Sequence, residues 1–183
     1  MTGSARSVSV WTIVVTIALV FAGGTLALCG WGRKWEVARP LAGACMGEGV
    51  AGTAEYRQDD GRIHPVVVLS TDGTFDSWTY LMPKAWWSPE DGIGDVELVA
   101  SIRRRWVCLG TRAYTGPSVS RYREELVVRL REAATGKVVA LTVLQGEEPR
   151  QFHQTEYRHV TRVEGPPVPR CALEEWLRSY VER

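Results

Sequence analysis

Residues 8–31, "VSVWTIVVTIALVFAGGTLALCGW", contain no charged side chain. A helix needs about 20 apolar residues to cross the hydrocarbon core of a bilayer, so this run is long enough. Trp11 and Trp31 lie near its two ends, where indole rings favour the membrane interface. We therefore expect a retained transmembrane helix that ties the chain to a lipid bilayer.

Two other outcomes for this run stay open. A cleaved signal peptide usually has a shorter apolar core followed by a small-x-small site, and residues 25–27 form only a poor site of that kind. A lipoprotein needs a small residue before the modified cysteine, whereas Leu28 precedes Cys29. Cys45 does follow small residues, but charged side chains separate it from the apolar run. The pattern favours retention over cleavage or lipidation.

The direction of the span is a second question. Basic residues near a span tend to stay in the cytoplasm. Arg6 precedes the run, and further basic residues stand after it at positions 33, 34 and 39, which favours a cytoplasmic domain. A short N-terminal tail before an apolar run is, however, typical of signal-anchors that export the downstream domain. We expect an extracytoplasmic domain, with the charge rule opposing this assignment.

Composition limits the partners of the chain. The formal net charge of +1 gives no electrostatic case for binding nucleic acid. Gly23 and Ala27 in the span form a small-xxx-small pair, which allows two helices to approach closely. The expected partners are thus the bilayer and a protein partner or a second copy contacting the span. No metal or cofactor motif is recognisable.

The chain divides into four parts by pattern. Residues 1–7 form an N-terminal tail, residues 8–31 the span, residues 32–52 a glycine-rich linker and residues 53–183 a β-rich globular domain. About 140 residues outside the membrane suffice for one domain with a core. Eight tryptophans favour a packed core over a disordered tail, because each indole buries a large area.

Apolar runs and turn residues predict a series of strands. Residues 63–70 and 75–82 are two short strands, and residues 95–104 and 105–114 are two more, joined by a bend or bulge at the arginine triplet 103–105. Residues 120–133 alternate in polarity and are joined by the turn 134–137 to the β-branched run 138–145, which predicts a hairpin. Residues 155–163 form a last strand.

The C-terminus changes to helical spacing. In residues 171–182 the apolar positions are those expected for one face of a helix, namely Leu173, Trp176, Leu177, Tyr180 and Val181. An amphipathic helix of this kind covers one face of a sheet. The fold class is therefore mainly β: an antiparallel sheet or sandwich closed by a C-terminal helix.

Aromatic and basic clusters are the candidate binding residues. The densest aromatic group comprises Trp78, Tyr80, Trp86 and Trp87. On an exposed flat face these rings would stack on a sugar or an apolar peptide, whereas buried rings are simply core. The triplet 103–105 could meet acidic headgroups or carboxylates, but such a run is more commonly a solvated bend.

Cysteines and histidines offer weaker signals. Of the four cysteines, three lie outside the span, and in an exported domain one pair would form a disulfide. Cys45 with Cys171 is the first choice, Cys108 gives the other pairings, and three buried thiols are the alternative. Among the histidines, His64 or His159 beside a carboxylate would be needed for a small hydrolase, but no catalytic motif accompanies either of them.

Several segments resemble a group of uncharacterised bacterial exported or membrane-anchored proteins. They are "CMGEGV" at 45–50, "HPVVVL" at 64–69, the arginine-rich strand before "TGKVVA", and "EEWLRSYV" near the end. The resemblance implies export and carries no activity. Members hold more cysteines around the central strands, where this chain has Ser101 and Arg112, so it argues against a disulfide at Cys108.

These observations favour a membrane-anchored, extracytoplasmic domain that binds or scaffolds without catalysis. The hydrolase and a carbohydrate-binding module built on the tryptophans are the alternatives.

Overall fold

The computed structural model describes residues 39–58, 60–86, 92–114, 118–152 and 161–182. They belong to one unit that begins at Val37. Residues 39–46 are helical, here α1. The next elements are β1 (Val66–Ser70), a 3-10 helix η1 (Ser77–Leu81), β2 (Leu98–Arg112), β3 (Val119–Glu132), β4 (Val138–Gln145), β5 (Arg162–Glu164) and α2 (Arg170–Val181). The domain is mainly β with a C-terminal helix, as expected.

The described strands form one mixed sheet in the order β1-β2-β3-β4, with β5 paired to β3. The β2–β3 and β3–β4 pairs are antiparallel, whereas β1 runs parallel to β2 and β5 runs parallel to β3. Parallel neighbours need a long crossover, and the segment that carries η1 provides one between β1 and β2. The sheet was expected to be mainly antiparallel, and the two parallel pairings, β1 with β2 and β3 with β5, were not predicted.

The hairpin expected around the turn at 134–137 is confirmed. β3 and β4 pair from Glu125 opposite Gln145 to Arg131 opposite Val138. Gly136 has a φ of +71°, which favours glycine, and a side chain there would also meet the backbone oxygen of Gly47 at 2.4 Å. The turn therefore depends on glycine both for its backbone conformation and for its contact with the segment after α1.

β2 is one continuous strand, not two strands that meet at the triplet 103–105. Its irregularity lies later, between Cys108 and Gly110. A bend was expected at the arginines because three charges in a row are unusual inside a sheet. The strand continues because alternate arginines point to opposite faces, where each meets a different environment.

Helices cover the two faces of the sheet unequally. On one face α2, the crossover segment and Val168 pack on the first core cluster, which includes Val68, Ile102, Val128 and Leu177. On the opposite face α1 covers a smaller cluster around Val67, Val99 and Ala133, and contributes Leu41, Ala44 and Cys45 to it. Residues Leu98–Ile102 are buried on both faces, whereas residues 103–106 are exposed.

The helix α2 matches its prediction within one residue. Leu173, Leu177 and Val181 are its buried side chains, spaced four apart so that they lie along one stripe. The C-terminal end of α2 is bonded to the loop before β1, because the His64 amide donates to the Val181 carbonyl at 2.8 Å. The indole of Trp86 donates to Glu182 at 2.9 Å. The closing helix is thus fixed by packing and by hydrogen bonds.

Two segments differ from their predictions. Residues 75–82 contain η1 instead of a strand, because Asp76 accepts from the Trp78 amide at 3.0 Å and caps the helix. The Thr79 hydroxyl then meets both backbone groups of Val68. Residues 39–52, expected to be part of a linker, supply α1 and apolar side chains to the second core cluster.

Residues 8–31, where the transmembrane helix is expected, lie outside the described part of the chain, as does most of the strand expected at 155–163. In the described ranges, no helix combines the length and the apolar composition that crossing a membrane requires.

Truncation of the α2 stripe should destabilise the domain. Leu177 is fully buried, and removing a buried leucine side chain costs about 2–5 kcal/mol of unfolding free energy. We expect Leu177→Ala to lower the free energy of unfolding by that amount in urea denaturation followed by tryptophan fluorescence. Leu141, 59% exposed, provides the matched control: Leu141→Ala should change it by less than about 0.5 kcal/mol. Equal effects would contradict this description of the core.

Candidate ligand-binding face

Of the aromatic residues singled out as ligand-binding, the three that the structure describes do not share one exposed face. Trp86 is 1% exposed and its indole N–H is bonded to Glu182, so it is a core residue and cannot stack on a ligand. Trp78 is half-buried beneath the Arg104 guanidinium, 5.4 Å from its ring centroid. Tyr80 is 45% exposed, and Trp87 lies outside the described residues. Trp78, Tyr80 and Trp86, the described members of the group, form no flat aromatic platform.

The three cysteines of the domain are free thiols. Cys45 is buried in the cluster under α1, whereas Cys108 and Cys171 are exposed on β2 and α2. The expected Cys45–Cys171 disulfide is therefore not formed. The sheet separates the two thiols, because Cys45 packs on one face of it and the helix that carries Cys171 packs on the other.

Only His64 of the three histidines lies in the described ranges. Its ring is fully buried, and Nδ1 lies 2.7 Å from the Glu97 carboxylate. The other nitrogen, Nε2, faces Asp60 at 3.5 Å, and Arg62 approaches the second Glu97 oxygen at 2.7 Å. The histidine–carboxylate contact required by a hydrolase is present, but the ring is closed to substrate. Here it joins the loop before β1 to the start of β2.

The arginine triplet divides between the two faces of the sheet. Arg104 points to the α2 side, where its guanidinium donates to both oxygens of Asp76 at 3.0 and 3.2 Å and lies over Trp78. Arg103 and Arg105 point to the α1 side. The expected solvated bend is therefore corrected: one arginine is part of the structural framework, and its two neighbours lie on an open face.

Strand pairing brings a third arginine to this open face. Arg129 of β3 is opposite Ser101 of β2, and Arg103 is opposite Val127. Arg103 and Arg129 are thus diagonal neighbours, roughly 7–8 Å apart. Beyond the end of α1 the face forms a groove of about 380 Å³. Its lining comprises Cys45, Met46, Thr71, Ser101, Arg103, Arg105, Val127 and Arg129; we call this the arginine groove.

The charges at the arginine groove are only partly compensated. Arg105 donates through Nε and Nη2 to Glu125 at 2.9 and 2.7 Å, and Arg123 reaches the other oxygen of the same carboxylate at 3.1 Å. The hydrogen bond from Arg105, with a smaller one from Arg123, holds the pKa of Glu125 below its usual value. Neither Arg103 nor Arg129 has an ion pair or a side-chain hydrogen bond in the described chain.

The groove is lined by residues that the sequence pattern did not predict to be neighbours. Alternation on β3 predicts that Arg129 lies on the face opposite Leu126 and Val128, but only the register with β2 places it beside Arg103. The adjacent positive charges of Arg103 and Arg129 therefore follow from the register in which β2 and β3 pair.

Comparisons with protein families, curated proteins and solved structures found no match. What the domain does is therefore inferred from the geometry of its own residues.

The thiol of Cys45 should react far more slowly than the two exposed thiols. Burial raises the pKa of Cys45 to about 11, although Arg131 partly opposes this. Since the thiolate is the reactive form, alkylation at pH 8 should modify Cys108 and Cys171 first. Cys45 should react only as the pH approaches 11 or after unfolding. Peptide mass mapping with and without reductant measures this, and a reductant-dependent Cys45–Cys171 peptide would contradict the free thiols.

Proposed function

We propose that the chain is a membrane-anchored, extracytoplasmic binding domain that has no catalytic role and uses the arginine groove as its ligand site. One observation carries the proposal: the sheet is covered by helices on both faces at Leu98–Ile102, yet its continuation on the α1 side is left open and lined by Arg103, Arg105 and Arg129. Such a groove fits an anionic ligand, because arginine binds oxyanions through paired N–H donors.

The rigidity of the surroundings supports a binding role. Arg103 and Arg105 project from β2, where β3 pairs with them on one side. Arg129 projects from β3, which at that position is paired with both β2 and β4. Binding sites on strands hold their geometry better than sites on loops. Arg105 is held further by Glu125, so a ligand would meet a partly preorganised set of donors.

The membrane anchor is supported by the sequence. The uncharged run 8–31 is long enough to span a bilayer, and the resemblance to exported proteins favours an extracytoplasmic domain. The basic residues after the run favour the opposite direction, which makes the compartment a matter for direct measurement.

The hydrolase alternative draws on the contact between His64 and Glu97. A general base must reach the proton it removes, and the imidazole of His64 has no exposed surface. The contact is better explained as a buried hydrogen bond that fixes the chain around β1. The sugar-binding alternative loses Trp86 for the same reason, since its indole is in the core.

Removal of the two uncompensated arginines should weaken anion binding. Charged hydrogen bonds contribute about 1.5–3 kcal/mol each, so Arg103→Ala with Arg129→Ala should weaken binding by at least about tenfold. The measurement is isothermal titration of the full chain in neutral detergent with phosphate, sulfate and small carboxylates. Arg57→Ala with Arg170→Ala removes the same charge from exposed positions outside the groove and should leave affinity unchanged. Equal losses in both double variants would contradict the site.

A reporter fused after Arg183 should locate the domain outside the cytoplasm. We expect activity from a phosphatase that folds only after export and no signal from a fluorescent protein that folds only in the cytoplasm. Deletion of residues 8–31 should reverse both results, because it removes the proposed signal-anchor. Fluorescence from the intact fusion would show that the basic residues after the run determine orientation.

A further inference from the structure

We infer that the arginine groove is selective for a phosphate monoester group. The inference rests on the proposed function, because it names the chemical class of the ligand for the same site. Its basis is the charge, the donors and the size of the groove.

The charge of the groove matches that of a phosphate monoester. Three guanidinium groups line it, and Glu125, bound to Arg105, is the carboxylate that pairs with one of them. Two positive charges are left without a partner in the described chain, on Arg103 and Arg129. A phosphate monoester carries a charge of about −1.5 to −2 at pH 7. A monocarboxylate would neutralise only one of the two.

The donors also match a group with three terminal oxygens. Arg103 and Arg129 each offer a full planar fork, the geometry that binds phosphate through two parallel hydrogen bonds. Arg105 uses Nε and Nη2 for Glu125 and keeps Nη1 for a ligand. Thr71 also lines the groove and carries a further hydroxyl, whereas the Ser101 hydroxyl already donates to the Arg129 carbonyl at 3.3 Å.

The volume of the groove sets an upper limit on the size of the ligand. About 380 Å³ lies at the small end of the range for ligand sites, roughly 300–1,000 Å³. Cys45 and Met46 at the end of α1 contribute to its lining, and the buried cluster under α1 closes the sheet face beyond them. A compact head group fits better than an extended polyanion.

Two sources can supply such a phosphate, a lipid head group or a water-soluble monoester. Next to the groove, Leu141 lies opposite Arg129, and Val143 lies opposite Val127. These two side chains are 59% and 42% exposed, and Met46 is 76% exposed. Apolar side chains beside a basic groove would contact an acyl chain. The shared chemistry is the phosphate, and the experiment separates the sources.

The test compares anions of equal charge on the full chain in neutral detergent. Glycerol 3-phosphate should bind at least tenfold more tightly than succinate, a dicarboxylate with the same charge. Its affinity should fall as the pH decreases through about 6, where the phosphate takes up its second proton. Arg103→Lys and Arg129→Lys keep the charge but lose the fork, so each should weaken glycerol 3-phosphate binding at an unchanged net charge. Arg57→Lys is the control for the substitution itself.

A second comparison, with a short-chain lipid, identifies the source of the phosphate. If the phosphate belongs to a lipid, dihexanoyl phosphatidic acid should bind at least tenfold more tightly than glycerol 3-phosphate, and Leu141→Ser should remove that gain only. Equal affinities that are insensitive to Leu141→Ser identify a soluble monoester. Either result supports the phosphate site.

Two outcomes would overturn the inference. The first leaves the proposed binding function standing, and the second removes it as well. If succinate or an acidic peptide binds through Arg103 and Arg129 while phosphate does not, the ligand class is wrong and the binding function stands. If no anion binds, or if binding is unchanged by the lysine and alanine variants at both positions, the groove is not a ligand site and the proposed function fails with it.

Discussion

The long antiparallel pairing of β2 with β3 is the constraint on which the rest of the structure depends. It runs from Leu98 opposite Glu132 to Arg112 opposite Val119. Side chains alternate along both strands, so a slip of one residue would transfer every side chain to the other face. Leu126, Val128 and Leu130 would then leave the α2 side, and the arginines would enter the core. Burying an unpaired charge is expensive, so the hydrophobic pattern and the charges enforce the same register.

The helices cover the sheet unequally, and the part of the α1 side that they leave open is the candidate site. Near Leu98 the sheet lies between α1 and α2, and both rows of side chains are apolar. α1 ends at residue 46, whereas β2 continues well past the helix. On the α1 side the strands then present Arg103, Arg105 and Arg129 to a groove. The position of this groove is therefore set by where α1 ends.

Local patterns were enough to predict the hairpin and the closing helix, but not the mixed sheet. The turn at 134–137 and the spacing of Leu173, Leu177 and Val181 are read within a few residues, and both were confirmed. The parallel β1–β2 pair joins segments separated by a crossover, and nothing local specifies its direction. The site was missed for another reason: Arg103 and Arg129 are neighbours only through the β2–β3 register, which shifts between Cys108 and Gly110.

The hydrogen-bond partners of the arginines on β2 and β3 distinguish those with a structural role from those available to a ligand. On the two central strands, most arginines bind a carboxylate or a carbonyl of the domain; they are Arg104, Arg105, Arg121, Arg123 and Arg131. Arg103 and Arg129 are exceptions in the described chain, and they lie next to each other. Like charges at that spacing repel and oppose folding. A bound dianion removes this repulsion, and a ligand that binds only the folded state also stabilises it. In the proposed site, the repulsion between Arg103 and Arg129 would contribute both to anion affinity and to the gain in folding stability on binding.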